Sequence, residues 1–261
     1  MKNSTLILIS FLLFQGCSDD KMETKGFQVN EIAEDEEGKK IIGLPIDSLA
    51  FETRPGNVLL TNNTAHRLTP IYKINYHKKT GKPFVGSNHF HTYWNRDVSN
   101  GNNWHDNFMP GFEAVYGYNL VNISHYNLDS NTQNEFFKKH VLIKTLYFPS
   151  FSNDTLNNQP VNRNYYMVSV YDEDTNKDGM VTMKDLRRFY LFDIEGHKKR
   201  PLVPKNYSVM SSEYDSSNDY MYVVAKLDQN INGQMEQEEL THIFWIDLKN
   251  PENTGVLYQN K

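Results

Sequence analysis

The 261-residue sequence has one cysteine, Cys17, so no disulfide can form within the chain. The chain also has no excess of positive charge: its 27 Lys and Arg residues are outnumbered by 32 Asp and Glu residues, which gives a net charge of −5. The sequence has no basic stripe and no arginine-rich segment. Since nucleic-acid-binding surfaces depend on clustered positive charge, we expect no nucleic-acid partner.

Familiar catalytic motifs are also missing. The sequence contains neither a GxSxG nucleophile elbow nor an HExxH zinc motif, and its one cysteine lies at the end of an apolar N-terminal segment. We therefore expect a protein that is not an enzyme. Asp and Glu are abundant, so a glycan-active enzyme with a carboxylate pair stays open as the alternative, although the sequence identifies no such pair.

Long apolar runs are limited to the N-terminus. Residues 6–14 form an apolar segment that is too short for a transmembrane helix, which needs about 20 residues. Lys2 precedes this segment, and Gln15, Gly16 and Cys17 follow it. A positive residue, a short apolar segment and a small residue directly before a cysteine resemble the signal of bacterial lipoproteins. An ordinary secretory signal with an incidental cysteine is the alternative.

The resemblance to lipoproteins implies a signal peptide at residues 1–16 and a lipid on Cys17, which would anchor the protein to the membrane. The acidic residues within 18–21 resemble the surface-export signal of Bacteroidetes lipoproteins. These resemblances predict a lipid-anchored protein of the bacterial outer membrane, with exposure at the cell surface as a further hypothesis. Residues 17–40 are acidic and lack apolar periodicity, so we expect a flexible tether before a single β-rich domain at residues 41–261.

Aromatic and strand-forming residues characterise the rest of the chain. The sequence contains 16 Tyr, 15 Phe and 3 Trp residues, which favour strands and bury large apolar areas. About a dozen short strand-like segments alternate with turn signals, and no long helix is apparent. Single helical turns are predicted only at residues 183–187 and 237–240. The sequence therefore predicts an all-β fold.

An internal repeat organises the C-terminal part of the chain. Residues 165–194 align without a gap to residues 219–248, 54 positions later. Each copy is expected to form a strand, an acidic loop, a second strand and a further short strand, so the full repeats span residues 165–204 and 219–258. This order resembles the blades of a periplasmic β-propeller, which implies roughly five four-stranded blades of ~40–45 residues each. A β-sandwich is the alternative.

The acidic loop in each repeat matches the calcium-binding loop of EF-hand proteins. That loop supplies oxygen ligands at positions 1, 3, 5, 7, 9 and 12 and has glycine at position 6. The glycine at position 6 is Gly179 in the first loop and Gly233 in the second. The second loop matches the full motif, whereas the first ends in aspartate instead of glutamate, as in the dockerin loops that it resembles. The predicted ligands are Asp174, Asn176, Asp178, Met180 (backbone carbonyl), Thr182 and Asp185 in the first loop, and Asp228, Asn230, Asn232, Gln234 (backbone carbonyl), Glu236 and Glu239 in the second.

The predicted ligands favour calcium over other metals. Oxygen ligands without His or Cys disfavour zinc and copper, and Mg²⁺ would demand a tighter octahedral site. Two solvated Asp/Asn/Gly hairpin turns without ions are the alternative. Strand-like segments precede both loops, so the sequence contains no pair of helices that calcium could open, as it does in EF-hand sensors. We therefore expect two Ca²⁺ ions with a structural role.

The signal and the two loops together resemble exported Bacteroidetes lipoproteins with EF-hand-like, dockerin-type calcium loops. The resemblance implies a non-enzymatic envelope protein, stabilised by calcium, that binds a protein or glycan partner or serves as a scaffold. Aromatic residues within 88–118 would suit a carbohydrate or peptide site, although packing of a long loop is the favoured interpretation. His89 and His91 would face one side of a strand and could bind a transition metal, but ordinary loop histidines are the favoured interpretation.

Overall fold

A computed structural model describes residues 25–28, 51–85, 88–90 and 109–260, of which residues 88–90 are described by their backbone alone. The predicted signal peptide, Cys17 and most of the predicted tether lie outside the described residues. The described residues form strands and no helix, which confirms the all-β prediction. In this part of the chain no helix is long and apolar enough to cross a membrane.

The described residues form 21 strands, and every pairing among them is antiparallel. The strands are β1 (Phe27–Gln28), β2 (Thr53–Pro55), β3 (Leu59–Leu60), β4 (His66–Lys73), β5 (Asn75–Tyr76), β6 (Pro83–Phe84), β7 (Asn88–Phe90), β8 (Phe112–Tyr116), β9 (Leu120–Asn127), β10 (Thr132–Glu135), β11 (Leu142–Pro149), β12 (Asp154–Leu156), β13 (Gln159–Val161), β14 (Tyr165–Tyr171), β15 (Met180–Val181), β16 (Arg188–Asp193), β17 (Lys198–Pro201), β18 (Tyr207–Asp215), β19 (Tyr220–Leu227), β20 (Thr241–Asp247) and β21 (Thr254–Gln259).

Eleven of these strands join in one large sheet, whose main path runs β17–β16–β14–β11–β9–β4–β2. Strand β8 pairs with β11 and β7 pairs with β8, while β3 adds to β4 and β10 adds to β9. Strand β11 pairs with β14 along one edge and with β8 and β9 along the other, so the sheet branches at this strand.

A separate four-stranded sheet follows in the chain. It is a meander in the order β18–β19–β20–β21, in which each strand pairs with the next one. Buried and partly exposed residues alternate along β19 and β20. One face of this sheet is therefore covered by other parts of the protein, and the other face is turned toward solvent. Three two-stranded pairs complete the described fold: β1 with β15, β5 with β6, and β12 with β13.

The covered face of the four-stranded sheet packs against one face of the large sheet. Met167 of β14 and Leu191 of β16 contribute to this shared core from the large sheet. Met221, Val223 and Ile246 contribute from the four-stranded sheet, and all five side chains are buried. The two sheets therefore form two layers around one apolar core, which is the basic arrangement of a sandwich.

The opposite face of the large sheet covers a second core. Tyr166 of β14 and Phe192 of β16 point into it, because neighbouring residues on a strand face opposite sides. Leu68 of β4 and Ile123 of β9 belong to the same core. Strand β14 is consequently buried along its whole length.

The layered arrangement fits a β-sandwich, the alternative fold, whereas the predicted β-propeller is not shown by the described residues. The first repeat does not form a separate blade, because β14 pairs with β11, through which the eleven-stranded sheet extends to β9, β4 and β2. The second repeat alone lies in a four-stranded sheet. Each hairpin is flanked in the same way, by β11 and β17 in the first copy and by β18 and β21 in the second. The copies differ because the first sheet extends beyond β11, whereas the second ends at β18.

Both repeats form hairpins, but the two hairpins differ in register by one residue. Tyr165 pairs with Asp193 in the first hairpin. The sequence alignment would place Asp219 opposite Asp247, yet Tyr220 occupies that position. A one-residue slip moves a strand's side chains to the opposite face of the sheet.

This slip reverses the faces of the second strand in the second hairpin. Ile246 of β20 points into the core between the two sheets. Its counterpart in the alignment, Phe192 of β16, points into the other core. The first strands of the hairpins keep the same orientation, since Met167 and Met221 both face the shared core.

The helical turns predicted at residues 183–187 and 237–240 are wrong. Turns and bends occupy these segments, with an isolated bridge at Asp185. The Leu186 N–H donates across the first loop to the Thr175 hydroxyl at 2.8 Å. The structure therefore uses the ends of the acidic loops for contacts across the loop.

Candidate functional site

The two acidic loops occupy matching places in the two hairpins. The first loop (residues 174–185) connects β14 to β16 and contains β15, whereas the second loop (residues 228–239) connects β19 to β20. The first loop therefore extends from the large sheet and the second from the four-stranded sheet. All twelve predicted ligand residues lie in these two loops.

The first loop is held by the carboxylate at its first position. Asp174 Oδ1 accepts the N–H of Asp178 at 3.1 Å, and Asp174 Oδ2 accepts the N–H of Gly179 at 2.9 Å. Lys177 and Gly179, at positions 4 and 6, have positive φ angles of 59° and 82°. These left-handed residues fold the loop back around the carboxylate, which explains why glycine suits position 6.

The second loop has the same conformation. Asp228 Oδ1 accepts the N–H of Asn232 and Asp228 Oδ2 accepts the N–H of Gly233, both at 3.1 Å. Ile231 and Gly233 have φ angles of 56° and 74°, again at positions 4 and 6. Ile231 is not a residue that favours positive φ, so the loop geometry imposes this conformation on it.

Positions 9 and 12 are also connected alike in both loops. The Thr182 N–H donates to Asp185 Oδ2 at 2.8 Å, and the Glu236 N–H donates to Glu239 Oε2 at 3.0 Å. Asp185 Oδ1 additionally accepts the Thr175 N–H at 2.8 Å. The side chain at position 12 thus closes each loop, despite the change from glutamate to aspartate.

Glu239 has a buried carboxylate oxygen that receives no hydrogen bond from the part of the chain that the structure describes. Its side chain is buried, and its Oε1 atom has no hydrogen-bond donor among the described residues. Asp228, the residue at the other end of the same loop, is buried as well. A buried carboxylate oxygen without a partner is costly, so this oxygen fits a metal ligand.

Asp185 is more completely satisfied by hydrogen bonds, although it is almost fully buried. Burial raises the pKa of its carboxyl, the backbone N–H groups of Thr182, Asn176 and Thr175 oppose this rise, and the neighbouring Asp174 adds to it. A bound cation would favour the ionised form of both carboxylates.

The remaining predicted ligands lie nearer the solvent. Asn176 Oδ1 accepts the Asp178 N–H at 3.0 Å. The side-chain amides of Asn230 and Asn232 donate to the Glu236 carboxylate at 2.9 Å and 2.7 Å, so three predicted ligands of the second loop contact one another. The predicted backbone ligands also belong to the loops: they are Met180, which lies in β15, and Gln234, which is exposed.

The two loops contact each other directly, which the sequence did not indicate. The Thr175 hydroxyl donates to the Gly233 carbonyl at 2.6 Å. An isolated antiparallel bridge also joins Asp185 to Gln234. Thr175 occupies position 2, where the loop motif has no requirement, so its role could not be identified from the motif. Because the loops extend from different sheets, their contact joins the two layers of the fold.

A matched pair of glycine substitutions tests this contact. A Cβ atom on Gly233 would lie 1.9 Å from the Thr175 carbonyl oxygen, whereas a Cβ on Gly179 would have no atom within 4 Å. Both glycines have positive φ, so each alanine variant should lose roughly 1–2 kcal/mol through backbone strain. We expect Gly233→Ala to lose clearly more than Gly179→Ala in urea unfolding, because the loops must also separate. Equal losses would contradict the loop contact.

The first loop also contacts a short N-terminal segment. Phe27 pairs with Val181 and Gln28 pairs with Met180, so β1 and β15 form a two-stranded pair. The Gly26 N–H also donates to Asn119 Oδ1 at 2.7 Å, while Phe27 is buried. Residues 25–28 belong to the segment predicted as a flexible tether, and this part of it packs on the domain.

Other candidate residues lie elsewhere. His91 and half of the Phe, Tyr and Trp residues within 88–118 fall outside the described residues, as do the side chains of His89 and Phe90. The described residues contain one group of three His, Cys, Asp or Glu side chains whose ligand atoms all lie within 4.8 Å of one another, namely His66, His125 and Glu195. The sequence does not indicate this group, because its members are far apart in the chain. The chain matches no protein-family model and no curated protein.

Proposed function

We propose that the protein is a non-enzymatic, calcium-stabilised scaffold in which two Ca²⁺ ions, one in each acidic loop, fasten two β-sheets together. The observation that carries this proposal is the direct contact between loops that extend from different sheets. An ion that fixes either loop would fix the junction between the layers. Calcium would therefore stabilise the domain as a whole.

The donor atoms in the loops suit calcium. Each loop offers carboxylate, amide and backbone carbonyl oxygens and no nitrogen or sulfur ligand, which matches the preference of a hard cation. In the first loop the ligands would be the predicted six residues from Asp174 to Asp185, and in the second the six from Asp228 to Glu239. The ion would supply positive charge beside carboxylates that the fold has partly withdrawn from water, including the unpartnered Glu239 Oε1.

The context of the loops favours a structural role over a sensing role. EF-hand sensors respond to calcium by opening a pair of helices. Here strands flank both loops, and β14, β16, β19 and β20 all contribute to the core between the sheets. Movement of these strands would expose that core, so calcium binding should fix one arrangement of the sheets.

We further propose that the protein works at the bacterial cell envelope. The sequence before the domain supports a lipid anchor at Cys17 in the outer membrane, and a protein or glycan partner would fit a scaffold held there. In this proposal the fold is a sandwich of the large and the four-stranded sheets, which replaces repeated propeller blades.

Counting bound ions in carboxylate variants tests the calcium proposal. Equilibrium dialysis followed by metal analysis should find two Ca²⁺ ions per wild-type chain. We expect Glu239→Gln and Asp228→Ala each to lose the ion of the second loop, because both residues are buried in that loop. Asp174→Ala should lose the ion of the first loop.

Exposed neighbours of these ligands provide matched controls. Glu238 and Glu173 lie next to Glu239 and Asp174 in the sequence, and both are exposed. Glu238→Gln and Glu173→Gln remove the same negative charge, yet both variants should retain two ions. A wild-type chain that binds no calcium, or a Glu239→Gln variant that still binds two ions, would contradict the proposal.

A further inference from the structure

A cluster of two histidines and one glutamate lies at the far end of β16 from the first loop. The first loop enters β16 at Arg188, whereas Glu195 lies in the turn after that strand. Facing this turn are His66, the first residue of β4, and His125 of β9. Glu195 approaches His66 directly, with 3.7 Å between its Oε1 and the histidine Nε2.

The register of β4 and β9 brings the two histidines together. His66 pairs with Asn127, and Leu68 pairs with His125. Residues two apart on a strand share a face, so both imidazoles lie on the same side of the sheet as Leu68, which is fully buried. The exposed fraction is 4% for His66 and 1% for His125, which leaves little room for water as a partner.

A hydrogen-bond chain sets the tautomers of these histidines. The side-chain amide of Asn134 donates to the Glu195 carbonyl at 3.2 Å, so its oxygen faces His125. His125 Nδ1 lies 2.9 Å from that oxygen and must carry a proton, which leaves its Nε2 unprotonated. This Nε2 lies 2.8 Å from His66 Nδ1. The neutral cluster therefore presents an imidazole lone pair toward the second histidine, as a metal-binding histidine with an oriented outer partner does.

The same series of hydrogen bonds leaves two hydrogen-bond acceptors close together. If His66 Nδ1 donates to His125, then His66 Nε2 has a lone pair, and this nitrogen is the atom that lies 3.7 Å from Glu195 Oε1. A nitrogen lone pair and a carboxylate oxygen repel each other unless a cation lies near both. Either a proton on His66 or a metal ion would remove this repulsion.

We propose that His66, His125 and Glu195 bind one divalent transition metal of the zinc class. Two imidazoles and a carboxylate form a donor set that suits zinc, copper or nickel, in contrast to the oxygen-only loops. Three protein ligands would leave a further position for water or for a ligand from solution, and the Glu195 side chain is 45% exposed.

Binding requires the two rings to separate slightly and the His66 ring to turn. Its Nδ1 now faces His125 and its Nε2 faces Glu195, and a ring gives one metal ion only one nitrogen. A tetrahedral zinc ion with bonds of ~2.0–2.1 Å holds its nitrogen ligands roughly 3.3 Å apart, compared with the 2.8 Å between the ring nitrogens here. A neutral His66 ring would keep its one proton on the nitrogen that does not bind the metal, so binding replaces the hydrogen bond between the two rings.

Zinc titration of the calcium-saturated full chain tests this site. We expect one Zn²⁺ per wild-type chain in addition to calcium, and Co²⁺ at the same site should give visible d–d absorption bands. Glu195→Gln should weaken zinc binding at least about tenfold, because it removes a charged ligand. Glu195 lies in a turn and is half exposed, so this variant should fold; His125→Gln, which removes a buried ligand, is the second variant.

His197→Gln is the matched control. His197 lies in the same turn, its side chain is 68% exposed, and its contact is with Asp193 at 3.6 Å. This variant should bind zinc like the wild-type chain. Three results would overturn the proposal: no zinc binding by the wild-type chain, equal loss in the Glu195→Gln and His197→Gln variants, or zinc binding that Glu239→Gln removes and Glu195→Gln does not.

Discussion

Replacing Asp219 with alanine should reduce the free energy of unfolding by about 3–5 kcal/mol, the usual cost of removing one partner from a buried ion pair. Asp219 and Arg163 are both about 2% exposed. Two guanidinium nitrogens of Arg163 lie 3.0 Å and 2.8 Å from the two carboxylate oxygens of Asp219, a bidentate arrangement. Without Asp219, a positive charge would remain buried.

The ion pair joins the same two layers as the acidic loops do. Arg163 precedes β14 of the large sheet, whereas Asp219 lies between β18 and β19 of the four-stranded sheet. Arg163 also donates to the carbonyls of Leu248 at 2.6 Å and Pro110 at 3.1 Å. These additional acceptors hold the guanidinium in place, so it cannot turn outward to find water when Asp219 is removed.

Urea unfolding of the full chain in excess calcium measures the effect. Glu252→Ala is the control, because Glu252 is an exposed residue in the turn before β21. This substitution removes one negative charge, as Asp219→Ala does. We expect the control to change stability by no more than about 0.5 kcal/mol. A double variant, Arg163→Met with Asp219→Leu, should be more stable than Asp219→Ala alone, because it leaves no buried charge. A loss below about 1 kcal/mol for Asp219→Ala would contradict the role of the ion pair.

Removing calcium with EDTA should lower the melting temperature by roughly 10–20 °C. An ion present at 100 times its Kd stabilises the folded state by about 2.7 kcal/mol, and two ions would contribute about twice that amount. For a domain of this size, each kcal/mol changes the melting temperature by about 2–4 °C. The loss should be fully reversible, because calcium binding and folding are linked.

Two controls connect this shift to the loops. Glu239→Gln should show about half of the wild-type shift, since one ion site remains in the first loop. Magnesium should restore less stability than calcium at the same concentration, because it prefers a smaller octahedral site with bound water. Identical melting curves in EDTA and in calcium would show that the loops do not stabilise the fold through this ion.

Local sequence patterns were sufficient to predict the strands and hairpins of the repeats. Alternating aromatic and β-branched residues identify β14 and β19, and the positions of Gly179 and Gly233 predict the turns that the φ angles show. These features depend on residues that are near one another in the chain. The same local information predicted helical turns at residues 183–187 and 237–240, where contacts across the loop prevailed.

Features that depend on register or on distant contacts could not be predicted. The aligned repeats differ by one residue in strand pairing, and a one-residue slip has no local sequence signature. Thr175 reaches the other loop from a position that the motif leaves free. His66 and His125 meet only because β4 and β9 are neighbours in this register. The sequence thus predicted the two loops separately but did not indicate that they meet.

A crystal structure of the full chain grown with calcium, with anomalous diffraction data, tests the calcium proposal most directly. Two anomalous peaks are expected, one within residues 174–185 and one within residues 228–239. Each peak should have 6–8 oxygen ligands at about 2.3–2.6 Å, and Glu239 should contribute to the second. The loops should still meet through Thr175 and Gly233. Two empty loops at saturating calcium, or ions bound only outside them, would contradict the proposal.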